Sequence, residues 1–241
     1  MSAPPSRLRI GAHDAEWTQL ELDVRVEQDD ELHLLPAEPL DLYALADPES
    51  SIDAAALLRE RELPDPPYWA LVWTGARALG AVLSNLDLAP GARVLDLGCG
   101  LGAAGLALAR RGTPVVFGDY LEEPLGFVRA TLARLGDARS EVRRIDFTSA
   151  SDDGSRYDLI VCADIVYDPA HYEPLASWLD LHLDPAGAIL LTESLRADAA
   201  VFLRGMAARR FAADQCALWV LEDGRRERTW MHALKRISAL A

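Results

Sequence analysis

The chain has 241 residues, 50% hydrophobic and 26% charged, a globular composition rather than a disordered or fibrous one. Its 24 Lys and Arg against 38 Asp and Glu leave a formal charge of −14, which repels phosphate backbones and disfavours nonspecific nucleic-acid binding. No apolar run approaches the ~18 residues of a membrane helix, and the first residues carry no signal-peptide apolar core, so no membrane association and a cytoplasmic location are expected.

Residues 1–16 read as an irregular end. In Gln19–Val26, Leu20, Leu22, Val24 and Val26 alternate with polar residues, which predicts a half-buried strand. Gln28-Asp29-Asp30 is a turn and Leu32–Leu35 a return strand, so a small β-hairpin precedes the main domain. Pro36, Pro39 and Pro48 mark a wandering connection, Ser50 and Asp53 suggest a capping box before a short helix over Ala54–Arg61, and Pro64-Asp65-Pro66-Pro67 forces extended backbone. Residues 1–66 are therefore read as an N-terminal extension and 67–241 as the main domain.

A helical period follows. Trp69, Val72, Trp73, Ala76, Leu79 and Leu83 share one side of a helix running to about Leu86. Then strands and helices alternate. The strands are Arg93–Leu97, Pro114–Gly118, Glu141–Asp146, Tyr157–Ala163 and Gly187–Glu193; the helices are Ala103–Arg111, Pro124–Leu135, Pro169–Leu181 and Ala197–Arg210. Gly112 and Gly136 stand where helices end on a left-handed residue. This alternation implies an α/β fold with a doubly wound, mostly parallel sheet covered by helices on both faces. Gln215–Leu221 and Arg228–Lys235 flank a turn at residues 222–225 and close the sheet with an antiparallel hairpin, for seven strands in all.

Cys99, Cys162 and Cys216 are odd in number, far apart and form no CxxC, and the five histidines show no metal-ligand spacing, so neither a disulfide framework nor a metal site is expected. The chemistry-bearing stretch is VLDLGCGLGAAG, residues 94–105: a buried strand, a glycine turn, then a helix N-terminus with free N–H groups. Ligands of open α/β sheets bind at the carboxyl ends of such strands. Two fingerprints overlap here. Gly100-x-Gly102-x-x-Gly105 fits a dinucleotide loop, with Asp119 following Gly100 by 19 residues. Asp96-x-Gly98-x-Gly100-x-Gly102 instead sets a carboxylate at the strand end. A carboxylate beside a doubly charged pyrophosphate is unfavourable in a partly buried cleft. S-adenosylmethionine (SAM) carries an ammonium and a sulfonium and no phosphate, so the second fingerprint favours SAM as the cofactor. Asp119 then lies where ribose hydroxyls would be, with Tyr120 beside it. Asp146 is a candidate acceptor for the adenine amino group, and Phe147 a cover for its ring.

VLDLGCGLG, FGDY, IDF and VCADIVYD together resemble the class I SAM-dependent methyltransferases, over about residues 69–193. PPYWALVWTGARAL is similar to the tryptophan-bearing segment of the family 16 (seven-β-strand) protein methyltransferases, and Asp164-Ile165-Val166-Tyr167 to that family's Asp-x-x-Tyr motif; the nearest group is the electron-transfer-flavoprotein β-subunit lysine methyltransferases. The resemblance implies a Rossmann-like methyltransferase fold. It sets Trp73, Gly98, Cys99, Gly100, Asp119, Phe147 and Ala163 around SAM and turns Asp164 and Tyr167 toward the acceptor. Thr74 and Phe147 depart from the pattern, where relatives often have Pro and Trp. Asp164 is expected to orient a target amine and Tyr167 to wall the transfer channel, with helix capping and packing as their alternatives. Ile165-Val166 replace the paired prolines of base-amine methyltransferases, which further disfavours a nucleic-acid substrate. The implied activity is methyl transfer to nitrogen, with a protein lysine as acceptor. A small-molecule amine methyltransferase and a non-catalytic SAM-binding interaction module are the alternatives.

Overall fold

The computed structural model describes residues 5–48, 67–149, 153–194, 199–222 and 224–237. The predicted helix over 54–61 and its capping residues lie outside them.

The segment read as an irregular end is a strand pair, β1 (Arg7–Ile10) and β2 (His13–Leu20). The alternation starting at Gln19 is not one strand. It breaks after Leu20 and resumes in β3 (Val24–Gln28), which turns back through Asp29 and Asp30 into β4 (Glu31–Leu35). Both aspartates have positive φ, 52° and 62°, the conformation a two-residue hairpin turn requires. The proline-marked connection holds a further strand, β5 (Leu40–Leu45), with Leu40, Leu42, Tyr43 and Leu45 buried. The prolines flank this strand rather than interrupt it, so its ladder keeps its N–H donors.

A 3₁₀ turn at Tyr68–Ala70 precedes α1 (Thr74–Ser84). The predicted single helix from Trp69 is therefore two pieces. Trp73 at the N-cap has extended backbone, ψ 155°, and its indole N–H donates to Tyr68 O at 2.8 Å. The main unit continues with β6 (Val94–Leu97), α2 (Ala103–Ala109), β7 (Val115–Asp119), α3 (Glu122–Leu135), β8 (Glu141–Arg144), β9 (Tyr157–Ala163), α4 (Tyr172–His182), β10 (Leu183–Ser194), α5 (Ala199–Ala208), β11 (Phe211–Glu222) and β12 (Arg225–Arg236).

The strand order is β4-β3-β11-β12-β10-β9-β6-β7-β8. β10, β9, β6, β7 and β8 are parallel, and β12 and β11 close them with antiparallel pairing. These are the seven strands read from the sequence. The N-terminal hairpin adds two more through Val24–Val26 on β11. β1, β2 and β5 form a separate antiparallel sheet. It lies on α3, where Tyr43 N donates to the buried Thr131 hydroxyl at 3.0 Å and Arg134 lies over the Trp17 ring, 4.2 Å from its centroid. Buried apolar side chains fill both sides of the sheet: Val94, Phe117, Val161 and Leu190 on one face, Leu95, Ile160, Ile189 and Leu191 on the other. Burial on both faces explains why residues 159–163 of β9 form a continuous apolar run rather than an alternating one, whereas β6 carries the buried Asp96 within its run.

Candidate functional site

The carboxyl ends of β6, β7, β9 and β10 open into one cleft of about 520 Å³. Its floor is the glycine turn after β6. Gly98, Gly100 and Gly102 all have positive φ, at 65°, 50° and 81°. At Gly98 a β-carbon would stand 2.8 Å from Ile165 Cδ1, so the turn requires glycine both for its conformation and for its contact. Gly102 is the N-cap of α2.

Asp119, at the end of β7, fixes this turn from the side. One of its carboxylate oxygens accepts from Gly100 N at 3.0 Å and the other from Leu121 N at 3.1 Å. Burial raises its pKa, while the N–H groups of Leu121 and Gly100 oppose the rise. Asp146 Oδ1 accepts from Thr148 N at 2.9 Å, and the Phe147 ring meets His171 edge-on, with centroids 5.7 Å apart. Tyr120, Asp146, Phe147 and His171 line this end of the cleft.

Asp164 follows β9 in left-handed conformation, φ 51°. Its Oδ2 accepts from Gly75 N near the start of α1 at 2.8 Å, its Oδ1 from Ser194 N at the end of β10 at 2.6 Å, and its own N–H donates to Thr192 O at 3.0 Å. The carboxylate thereby ties three elements together and sets where α1 begins. The helix it caps is α1, not the turn near Pro169, whose first N–H groups are served by Asp168 through Ala170 N at 2.9 Å. Tyr167 is 42% exposed at the mouth, 5.3 Å from the Tyr68 ring, which in turn faces Trp73 at 6.0 Å.

Trp73, Gly98, Cys99, Gly100, Asp119, Asp146, Phe147, Ala163, Asp164 and Tyr167 thus all line the same cleft. Asp96, expected among the cofactor-binding residues as the strand-end carboxylate near the cofactor's cations, is not among the lining residues, and that placement is corrected. It is 1% exposed and lies beneath the turn, where its Oδ2 accepts from Gly105 N at 2.8 Å. Strand β6 ends only after Leu97, so the Asp96 side chain points into the core between strand and helix. Burial pushes its pKa up to about 7, opposed by the Gly105 N–H and reinforced by Asp119. Its Oδ1 has no hydrogen-bond partner among the described residues.

Sequence reasoning missed Tyr68, Glu193 and Ser194 as cleft residues. Only the position of Glu193 and Ser194 at the carboxyl end of a parallel strand marks them. The described lining includes four carboxylates, Asp119, Asp146, Asp164 and Glu193, and no Lys or Arg. That electrostatic character suits a cationic, phosphate-free ligand and opposes a pyrophosphate. No group of metal-binding side chains occurs among the described residues.

A family model described as lysine methyltransferase matches residues 71–208, from the cleft wall before α1 through α5. The electron transfer flavoprotein beta subunit lysine methyltransferase of Xenopus laevis is 34% identical over 117 residues, 47% of this chain and 46% of that protein. A ubiquinone biosynthesis O-methyltransferase of Leptothrix cholodnii is 28% identical over 151 residues, 61% of this chain and 63% of that protein. The chain spans about half the length of the lysine methyltransferases it matches. Among solved structures, a TehB-like SAM-dependent methyltransferase from Corynebacterium glutamicum superposes with a TM-score of 0.53 at 16% identity, covering 66% of this chain and 88% of that one. The motif resemblance read from the glycine turn and from Asp164–Tyr167 therefore holds across the length of the parallel sheet: the chain belongs to the lysine methyltransferase family.

Proposed function

We propose that this chain is a SAM-dependent N-methyltransferase whose acceptor is a lysine side chain of a protein. One observation carries the reading: the cleft is lined by Asp119, Asp146, Asp164 and Glu193, with no Lys or Arg among the described lining residues. Both SAM and a lysine approaching it are cationic, so the same negative field serves donor and acceptor.

The residues present fit SAM. Gly98, Cys99 and Gly100 bring main chain to the ligand, Asp119 offers oxygen acceptors for ribose hydroxyls, and Phe147 and Tyr120 provide aromatic surface for adenine. Trp73 and Ala163 bound the methionine end. Asp96 acts from below, by holding the Gly105 N–H and so the start of α2. When bound, SAM supplies a methyl group on a positively charged sulfur.

The protein's own contribution is position and desolvation. A lysine nitrogen attacks only when neutral, and leaving water disfavours its charged form. Trp73, Ile165 and Val166 supply the apolar wall for that transfer. Asp164 already accepts one main-chain N–H on each oxygen, and a carboxylate oxygen has room for a second donor. It therefore acts as a fixed strut that also orients the amine. Tyr167 guides the aliphatic stem at the mouth. Holding the nitrogen in line with the methyl group is where most of the acceleration arises. Tyr167's exposure keeps this end open, which supports a protein acceptor over an enclosed small molecule.

The test is incubation of the protein with methyl-labelled SAM and a cell lysate. Label on lysine in acid-precipitated protein is the expected result. Label only in the small-molecule fraction would overturn the protein-acceptor reading, and no SAM binding by calorimetry would overturn the methyltransferase reading itself.

A further inference from the structure

In β2, His13, Ala15 and Trp17 share one face by the alternation of a strand, and that face is laid along α3. His13 meets Phe127, with ring centroids 6.3 Å apart, and Arg134 lies over Trp17. Phe127, Thr131 and Arg134 recur at helical spacing on that side of α3. Ile10 pairs with His13 across the β1–β2 turn, and a β-carbon on Gly126 would stand 2.9 Å from Ile10 Cγ2. The strand pair is therefore seated closely on the helix.

His13 also reaches the segment before α1. Its ring meets Trp69 edge-on, at 5.3 Å and 78°, and Trp69 meets Phe127 at 5.5 Å and 50°. The three rings form a closed triangle, one each from the N-terminal sheet, α3 and the 3₁₀ turn. Rings in edge-on and tilted contact stabilise one another beyond the area they bury. The turn at Tyr68–Ala70 is three residues long and has no side-chain cap, so it has little support of its own. Trp69 lines the cleft, and its main chain lies against the glycine turn: a β-carbon on Gly100 would stand 3.5 Å from Trp69 O and 3.7 Å from its Cα. Gly100 is thus fixed twice, by the Asp119 carboxylate through its N–H and by Trp69 through packing.

On the reading that this cleft takes SAM, we propose that His13 is a positioning residue for the cofactor. It is not among the lining residues and acts through Trp69, by holding the turn over 68–70 against Gly100. The strand pair β1–β2 is thereby part of the donor site, although it lies in a separate sheet. The same turn carries Tyr68, whose carbonyl accepts the Trp73 indole N–H, so a second lining residue takes its place from the position of the turn.

The experiment measures SAM binding to the full chain by titration calorimetry, with urea unfolding on the same samples. His13→Ala is expected to weaken SAM about fivefold at unchanged stoichiometry, the scale of one lost edge-on ring pair. Misfolding alone would lower the stoichiometry and leave the affinity of the folded fraction as it was. His13→Phe keeps a ring at the same place and should stay within about twofold of the wild type. Trp17→Leu loosens the same strand about 13 Å further along, four residues at about 3.3 Å each. It should lower the urea midpoint and leave SAM affinity within about twofold. Unchanged affinity in His13→Ala, failure of His13→Phe to restore it, or an equal loss in Trp17→Leu overturns the proposal. Wild-type protein that fails to bind SAM refutes the cofactor reading and this role with it, whereas wild-type and His13→Ala proteins that bind SAM equally refute only the role of His13.

Discussion

The two halves of the cleft are built by different means. Over β6, β7 and β8, the floor is main chain in conformations that glycine adopts freely, and the side chains that hold it are near in sequence: Asp119 reaches Gly100 across 19 residues and Asp96 reaches Gly105 across nine. Over β9 and β10, the wall is fixed by one side chain, that of Asp164, itself in left-handed conformation, which reaches Gly75 across 89 residues and Ser194 across 30. The first construction is a local device and tolerates no β-carbon at its tightest point. The second is a long-range clamp and tolerates no loss of a carboxylate.

The largest effect is expected from breaking the clamp. Asp164→Ala leaves the N–H groups of Gly75 and Ser194 without their acceptor, and an unsatisfied buried donor costs about 1–3 kcal/mol. Urea unfolding should show a loss of about 3 kcal/mol, and turnover should fall by about 100-fold or more. The SAM affinity of the protein that remains folded should change little. Undiminished stability together with normal turnover would show that the halves do not differ in this way. Gly75→Ala attacks the clamp from the other side, since a β-carbon there overlaps the Asp164 carboxylate and the Thr192 hydroxyl.

A smaller effect is expected from a β-carbon in the floor. Gly98→Ala combines positive φ with a contact at 2.8 Å to Ile165 Cδ1, an overpacking cost of about 1–3 kcal/mol. Calorimetry should show SAM binding weakened about tenfold, with a smaller change in unfolding. Because Ile165 belongs to the acceptor half, the double variant Gly98→Ala with Ile165→Ala should recover part of the loss; strict additivity of the two would mean the halves are not in contact there.

The contrast also decides what the sequence made legible. The floor was readable because positive φ and close packing select glycine, and glycines repeat at short spacing in residues 98–105. The parallel sheet was readable because its central strands β6, β7 and β9 are mostly apolar and alternate with helical segments. Asp164 was found through its motif, but its partners were not: a carboxylate's target 89 residues away leaves no periodic trace. The break before α1 was hidden because Val72 and Trp73 keep a helical hydrophobic spacing while the Asp164–Gly75 bond sets the true start. β1, β2 and β5 were missed because their cover is the separate surface of α3, so charged and aromatic residues such as Glu16 and Trp17 occupy positions that a simple alternation reads as irregular.

Beneath the floor, Asp96 gives a pH test of its burial. Its folded-state pKa is raised to about 7, so between about pH 4 and 7 the folded protein holds a proton that the unfolded chain releases, and stability falls as pH rises through that window. Asp96→Asn keeps an oxygen for Gly105 N and removes the charge. It should flatten this part of the profile and raise stability at pH 8 by about 1–2 kcal/mol, allowing for the buried amide. Thermal melts from pH 4 to 8 provide the comparison, and an unaltered slope in the variant would assign the dependence to another group, with Asp119, whose pKa is also raised, as the next residue to change.

The least effect is expected at the mouth, where neither construction operates. Tyr167 rests against Tyr68 and is 42% exposed, so its ring is a guide more than a support. Tyr167→Phe keeps that ring contact and removes the hydroxyl, whose net hydrogen-bond contribution is about 1 kcal/mol or less at an exposed position. Turnover should drop about threefold through the acceptor's KM, with stability and SAM affinity unchanged. Tyr167→Ala should add a further loss in KM by removing the apolar surface on which a lysine stem lies. A change in kcat alone for Tyr167→Phe would move the hydroxyl from the entrance to the reacting nitrogen, and would make the acceptor half depend on two groups at the point of transfer instead of one.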